Sequence, residues 1–302
     1  MRLALIGLGK MGANMARRLL QAKIEVVGFN RSPGIVKELS GEGLISADTI
    51  LHAVQQLQSP RIIWLMIPSG SPTDNTIQDL IPMLEGGDII IDGGNSNYHD
   101  SQRHGALLAK HGIGFVDAGT SGGIWGLKNG YCLMVGGEKQ VVAQIEPVLK
   151  ALAPAQDRGW AHVGPIGAGH FTKMIHNGIE YGMMQAFSEG FSLMKGKEEF
   201  NLDMAQISEL WRHSSVVRSW LLDLMADFLV QDQDLKEVEP FVADSGEGRW
   251  TVVESVDQGI AAPVLSLALQ MRFSSQDTEG YGNRLLSMMR NAFGGHFVQG
   301  KE

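Results

Sequence analysis

Short apolar runs alternate with helix-length amphipathic segments over the first 160 residues. The strand-like runs are Arg2–Gly7, Ile24–Phe29, Arg61–Ile67, Asp88–Asp92, Gly114–Ala118 and Tyr131–Val135. Several are apolar at successive positions, the pattern of strands covered on both faces. Asn14–Gln21, rich in Ala, Met, Arg and Leu, reads as the first intervening helix. Continuous strands separated by helices predict parallel βαβ units. The pattern changes after Gly159. From Ala168 onward no strand series is evident, and helical periodicity marks His170–Lys195, Asp203–Trp211, Ser219–Leu229, Val264–Phe273 and Leu285–Phe293, with Pro240 and Pro263 as punctuation. An α/β region over residues 1–164 followed by an all-α region over 165–302 is expected, with the changeover in the turn-rich Gly159–Gly167.

Composition narrows the class. A chain of 302 residues is long enough for two domains at about 150 residues each. Apolar residues at 44% and charged residues at 19% exclude intrinsic disorder. The longest apolar run, Ile62–Pro68, falls far short of the roughly 20 residues of a membrane span. The opening MRLALIGLGKMG turns into glycines where a signal peptide would need a cleavage site. Cys132 is the one cysteine, which excludes an internal disulfide and a cysteine-based zinc site; a reducing, cytoplasmic location is expected. A net charge of −8 argues against a nucleic-acid partner.

Gly7-Leu8-Gly9-Lys10-Met11-Gly12 is a G-x-G-x-x-G between the first strand and the first helix. In that context Gly7 makes a tight turn, Gly9 lets the backbone approach a pyrophosphate, and Gly12 permits close helix–strand packing. The helix N-terminus then faces the anion. This predicts a Rossmann-type dinucleotide-binding domain. The second strand runs into Phe29-Asn30-Arg31-Ser32, with no acid to hold a ribose 2′-hydroxyl. Arg31 is available to stack on adenine and pair with a 2′-phosphate, so NADP is expected over NAD; the alternative is a solvated loop charge. Ile67 and Pro68, where the Arg61–Ile67 run stops, are placed on the cofactor too.

Gly167–Tyr181 is the most informative stretch. On a helical wheel Lys173, His176, Asn177, Glu180 and Tyr181 share one face, spanning roughly 140° and about 12 Å of axis. Met174, Ile175 and Ile179 occupy the other. A solvated face is the bland reading, and the glycines nearby argue instead for close backbone packing.

The chain resembles the 6-phosphogluconate dehydrogenase family across nearly its whole length. The markers are GLGKMG, DGGNS at Asp92–Ser96, TSGG at Thr120–Gly123, GAGHFTKMIHNGIEYGMMQ at Gly167–Gln185, GRWT at Gly248–Thr251 and RNAFGGH at Arg290–His296. The resemblance implies oxidative decarboxylation of a phosphorylated aldonate. Lys173 matches the base on the C3 hydroxyl, and Glu180 matches the acid that protonates C1 of the enediol. Asn95, Ser121, Gly122, Gly123, His176 and Asn177 match substrate-contacting positions, with Asn95 also near the nicotinamide ribose. Tyr181, Arg249 and Arg272 match groups around the substrate phosphate, Arg249 standing where a lysine is common. Arg290 and His296 match residues supplied by a neighbouring subunit, which implies a homodimer or homotetramer with shared sites. The length matches the short bacterial form, whose members often use NAD, so NAD remains a possible cofactor. No metal is implied. Two rival readings are another β-hydroxyacid dehydrogenase, for which the phosphate residues would be idle, and a non-catalytic NADPH-binding module.

Overall fold

The computed structural model describes residues 1–299. Its order is β1 (Arg2–Ile6), α1 (Lys10–Gln21), β2 (Glu25–Phe29), α2 (Pro33–Ser40), β3 (Ile45–Ser46), α3 (Ile50–Gln55), β4 (Ile62–Leu65), α4 (Ser71–Leu80), β5 (Ile89–Asp92) and α5 (Tyr98–Ala109). Then come β6 (Gly114–Ser121), α6 (Gly126–Asn129), β7 (Cys132–Gly137), α7 (Lys139–Leu152), β8 (Trp160–Gly164) and α8 (Ala168–Gly196). α9 (Met204–Trp211), α10 (Trp220–Leu229), α11 (Glu247–Asp257), α12 (Pro263–Gln276) and α13 (Tyr281–Gly294) complete the chain. Two compact units are present, Met1–Asn177 and the residues from Gly178 onward.

The first unit carries one sheet in the order β3-β2-β1-β4-β5-β6-β7-β8. Alternation along β1 explains its two covered faces. Leu3 and Leu5 join Val26, Trp64 and Ile91 in one core, while Ala4 and Ile6 join Val27, Ile63 and Ile90 in the other. All four residues of β4 and of β5 are buried, as expected for strands flanked by helices.

Three sequence readings need correction here. β7 pairs with β6 antiparallel, not parallel. Only a 3₁₀ turn and the one-turn α6 separate the two strands, too little chain for a right-handed crossover. The Gly159–Gly167 segment contains β8, which pairs parallel with β7. Its residues are half-buried to exposed, so it lacks the apolar run by which the inner strands were recognised. α1 begins at Lys10, four residues ahead of the expected start, because Gly9 is its N-cap and Gly12 lies within the first turn.

The second unit is helical. Asp203 and Ser219, expected as first helical residues, are instead N-caps whose side chains accept the amides of Gln206 and Leu222. α11 was not foreseen as a helix. Around it Tyr181, Ala268 and Leu269 form a small core with Val252 and Phe273. α13 buries none of its residues in this chain. Among the described residues no helix is long and apolar enough to cross a membrane.

Candidate active site

The glycine turn sits where β1 separates β2 from β4, the switch point at which doubly wound sheets bind ligands. Gly7 has φ +95°, and a Cβ there would lie 2.3 Å from the Met66 carbonyl oxygen. A Cβ on Gly12 would lie 2.1 Å from the Gly7 carbonyl oxygen, so α1 can enter this closely only with glycine at that position. A Cβ on Gly9 would meet nothing within 4 Å. The first and third glycines are thus demanded by the protein's own packing, and the middle one faces open space at the helix N-terminus. No acid occupies the first turn of α1. This cradle fits a dinucleotide pyrophosphate.

Asn30 Oδ1 accepts the Leu8 amide at 3.0 Å, and its Nδ2 donates to the Ser32 carbonyl at 3.1 Å. Asn30 therefore ties the end of β2 to the glycine turn, a role the sequence did not disclose. Lys10, Arg31 and Ser32 are exposed, and Met11 and Ile67 are half-buried. Exposed Pro68 accepts the Thr73 hydroxyl at 2.9 Å through its carbonyl. An open cavity of about 530 Å³ beside Phe29 is walled by Ile50, Gln78 and Met83.

β5 and β6 run parallel to β1 and β4 and end on the same edge. Buried Asp92 shapes the loop after β5, accepting the Gly94 amide at 3.0 Å and the Ser96 hydroxyl at 2.7 Å, and Asn95 is left exposed between them. Ser121 closes β6, followed by Gly122 and Gly123, both at positive φ. α8 runs against β6 at unusually short range. A Cβ on Gly119 would lie 2.4 Å from the Lys173 Cβ and 2.7 Å from the Gly169 carbonyl oxygen. Lys173 is 8% exposed; its Nζ donates to Asn177 Oδ1 at 2.8 Å. His176 Nδ1 lies 2.9 Å from the same oxygen, and its Nε2 is 3.4 Å from Ser121 Oγ. Since Asn177 Oδ1 only accepts, the proton of this pair belongs on His176 Nδ1, which leaves Nε2 to receive the Ser121 hydroxyl. The structure thus joins Ser121, Lys173, His176 and Asn177. Glu180 lies two turns beyond Lys173 on α8 and is half-buried.

In the second unit Tyr181 is 5% exposed, and the Arg272 guanidinium stacks 3.5 Å above its ring. Arg272 Nη1 also donates to the Ala243 carbonyl at 2.6 Å. Arg249 grips Asp244 Oδ2 through Nε at 3.0 Å and Nη2 at 2.7 Å. Burial pushes the Asp244 carboxyl up, but Arg249 and the Gly246 amide outweigh it and hold the group below the ordinary carboxylate range. Tyr181, Arg249 and Arg272 are therefore brought together, with Asp244 among them. Arg290 and His296 are exposed at and beyond the end of α13; among the described residues neither bonds to those three. Asp117, which accepts the Gly167 and His170 amides, Ser101, whose hydroxyl meets His170 Nδ1, His170 itself and Asp244 were not singled out from sequence. A carboxylate inside the apolar β6 was the available signal.

A glycine cradle at the switch point of a doubly wound sheet, with an amine-bearing helix on the same edge, places the chain among the dinucleotide-binding dehydrogenases. The sequence profile of the NAD binding domain of 6-phosphogluconate dehydrogenase matches residues 2–164, and that of its C-terminal domain matches residues 169–285. A Haloferax volcanii protein named as an NAD(+)-dependent, decarboxylating 6-phosphogluconate dehydrogenase is 38% identical over 303 residues, covering 100% of both chains. The NADP(+)-dependent enzyme of Bacillus subtilis is 35% identical over 289 residues, 91% of this chain and 61% of its own. The structure of Plasmodium falciparum 6-phosphogluconate dehydrogenase, described with NADP+ and with 6-phosphogluconate, superposes with a TM-score of 0.84 at 27% identity, over 100% of this chain and 67% of that one. The chain belongs to the 6-phosphogluconate dehydrogenase family.

Proposed function

We propose that the chain oxidises and decarboxylates 6-phospho-D-gluconate to D-ribulose 5-phosphate and CO2, with NADP preferred over NAD. The observation that carries this reading is the Lys173–Asn177–His176 network, set against the Ser121 end of β6. Lys173, entering as the free amine, takes the proton of the C3 hydroxyl. The bound nicotinamide supplies the hydride acceptor for C3. The resulting 3-keto acid carries its carbonyl β to the carboxylate, so the C1–C2 bond breaks with loss of CO2 while the Lys173 ammonium returns its proton to the C3 oxygen, giving an enediol. Glu180, protonated, then delivers a proton to the carbon that lost CO2 as Lys173 takes the enol hydroxyl proton back, and the ketone forms. Asn177 orients the lysine and, with His176, Ser121, Gly122, Gly123 and Asn95, holds the sugar hydroxyls and carboxylate.

Tyr181, Arg249 and Arg272 hold the phosphate. Arg31 selects the 2′-phosphate of NADP, since no acid stands at the end of β2. Arg290 and His296 complete the site of a second copy. The support for that copy is α13, where Leu285, Leu286, Met289 and Phe293 fall on one helix face and are 47%, 56%, 47% and 79% exposed.

An assay that follows nicotinamide reduction and CO2 together tests the reading. Stoichiometric CO2 from 6-phosphogluconate is expected, and Lys173→Met should abolish both signals while leaving nucleotide binding intact. Reduced cofactor without CO2 would point instead to a simple hydroxyacid dehydrogenase. A preference for NAD would remove Arg31 from its assigned role.

A further inference from the structure

We infer that Asp117 is a positioning residue for Lys173, setting where α8 begins and hence how deeply the lysine sits. The inference rests on the reading of Lys173 as the base. Asp117 lies in the middle of β6 and is 0% exposed. Its Oδ1 accepts the Gly167 amide at 2.7 Å, and its Oδ2 accepts the His170 amide at 2.8 Å. These amides belong to the start of a 29-residue helix, where N–H groups lack intrahelical partners and the dipole favours an anion. Neither oxygen joins an ion pair among the described residues, and the partners of both are amides of the helix terminus.

The carboxylate has no room to drift. A Cβ on Gly136 would lie 2.5 Å from Asp117 Oδ1, and one on Gly169 would lie 2.4 Å from the Asp117 carbonyl oxygen. Asp117 and Gly119 are two apart on one strand, so they address the same face of the sheet. Lys173 follows His170 by one helical turn, and its Cβ rests on Gly119. One strand therefore grips the helix start through a carboxylate and seats the lysine stem through a missing side chain. A second tie runs from His170 Nδ1 to Ser101 Oγ of α5 at 2.7 Å. Asparagine at 117 would retain one acceptor and turn an NH2 toward an N–H, and alanine would retain neither.

The test compares Asp117→Asn, Asp117→Ala and Lys173→Met, with rates corrected for the active fraction. If α8 shifts by about 1 Å, kcat should fall about 10-fold for the asparagine variant and about 100-fold for the alanine variant. The Kd for NADPH and the KM for 6-phosphogluconate should stay within about threefold, because the glycine turn lies on another strand and ground-state contacts are retained. A general loss of folding would instead move all three together, and that result overturns the inference. Wild-type kcat for Asp117→Ala beside an inactive Lys173→Met overturns it alone. An active Lys173→Met overturns the base reading and this inference with it. Should neither Asp117 variant fold, amide hydrogen exchange on the wild-type protein decides. Protection of the Gly167 and His170 amides to the level of the β6 interior supports the anchor, and exchange at loop rates overturns it.

Discussion

Gly119→Ala should separate positioning from binding. The added Cβ would lie 2.4 Å from the Lys173 Cβ and 2.7 Å from the Gly169 carbonyl oxygen, against 3.4 Å for an ordinary contact. Neither neighbour is the far end of a flexible side chain, so the helix must retreat by about 1 Å or the lysine stem must swing aside. Overpacking of this kind costs about 1–3 kcal/mol, which in a protein of this size lowers Tm by several degrees. If Lys173 is the base proposed above, a displacement of about 1 Å there is expected to lower kcat about 100-fold, or about 2.7 kcal/mol of barrier. Initial rates of nicotinamide reduction would be measured beside fluorescence titration of NADPH. Gly9→Ala is the companion variant. Gly9 has an ordinary φ of −65° and an added Cβ meets nothing, so Tm should hold while nucleotide affinity falls, because the methyl group fills the space proposed for the pyrophosphate. If Gly119→Ala kept kcat within about twofold with an unchanged Tm, the close approach of α8 to β6 would not be what seats the lysine.

Three further outcomes are expected. Arg249→Ala should raise KM for 6-phosphogluconate about 10- to 100-fold, the worth of a charged hydrogen bond, and spare unphosphorylated gluconate; equal damage to both substrates would make the Arg249–Asp244 pair purely structural. Burial pushes the Tyr131 phenol up to about 12, with Arg18 pulling the other way. Its stabilising contribution is therefore complete below the unfolded value of about 10 and is lost as pH rises toward 12, so Tyr131→Phe should flatten the alkaline fall in unfolding free energy, measured by urea titration, by up to about 2.7 kcal/mol. Lys173→Met and Arg290→Ala subunits, each inactive, should recover activity when mixed if Arg290 serves a neighbouring copy, and an inactive mixture would place Arg290 in its own chain's site.

The sheet was legible where burial is total. β1, β2, β4 and β5 announce themselves because residues on both of their faces must be apolar. The edge strands were not. β8 is half-exposed and β3 has two residues, so neither needs an apolar run. The antiparallel β7 looks like its parallel neighbours because strand direction leaves no mark on composition; only the short connection betrays it. The helical stripe on α8 was legible for the same reason as the inner strands, since polar groups recurring on one face of an otherwise apolar helix have few structural uses. Its clustering with Ser121 was not, because 55 residues separate Ser121 from His176.

The supports of the site were the least visible part, and they show what a single sequence withholds. Asp117 is an acid within GFVDAGTS, and period-two alternation alone would leave it either on a solvated face or at a strand end. It is instead fully buried, because its partners are backbone amides 50 and 53 residues away, which have no side-chain signature. Gly119 is equally silent, since its role is defined by the absence of a Cβ against Lys173. Asn30 drew attention as a cofactor ligand, whereas its amide group is already committed to the Leu8 N–H and the Ser32 carbonyl. That commitment leaves Arg31 as the one cation of the exposed Arg31–Ser32 stretch, and the proposed function assigns the choice between the two nucleotides to it. An Arg31→Ala variant should therefore lose NADP affinity while its NAD affinity stays near the wild-type value. An equal loss for both nucleotides would mean that the loop reads the adenine and not the 2′-phosphate.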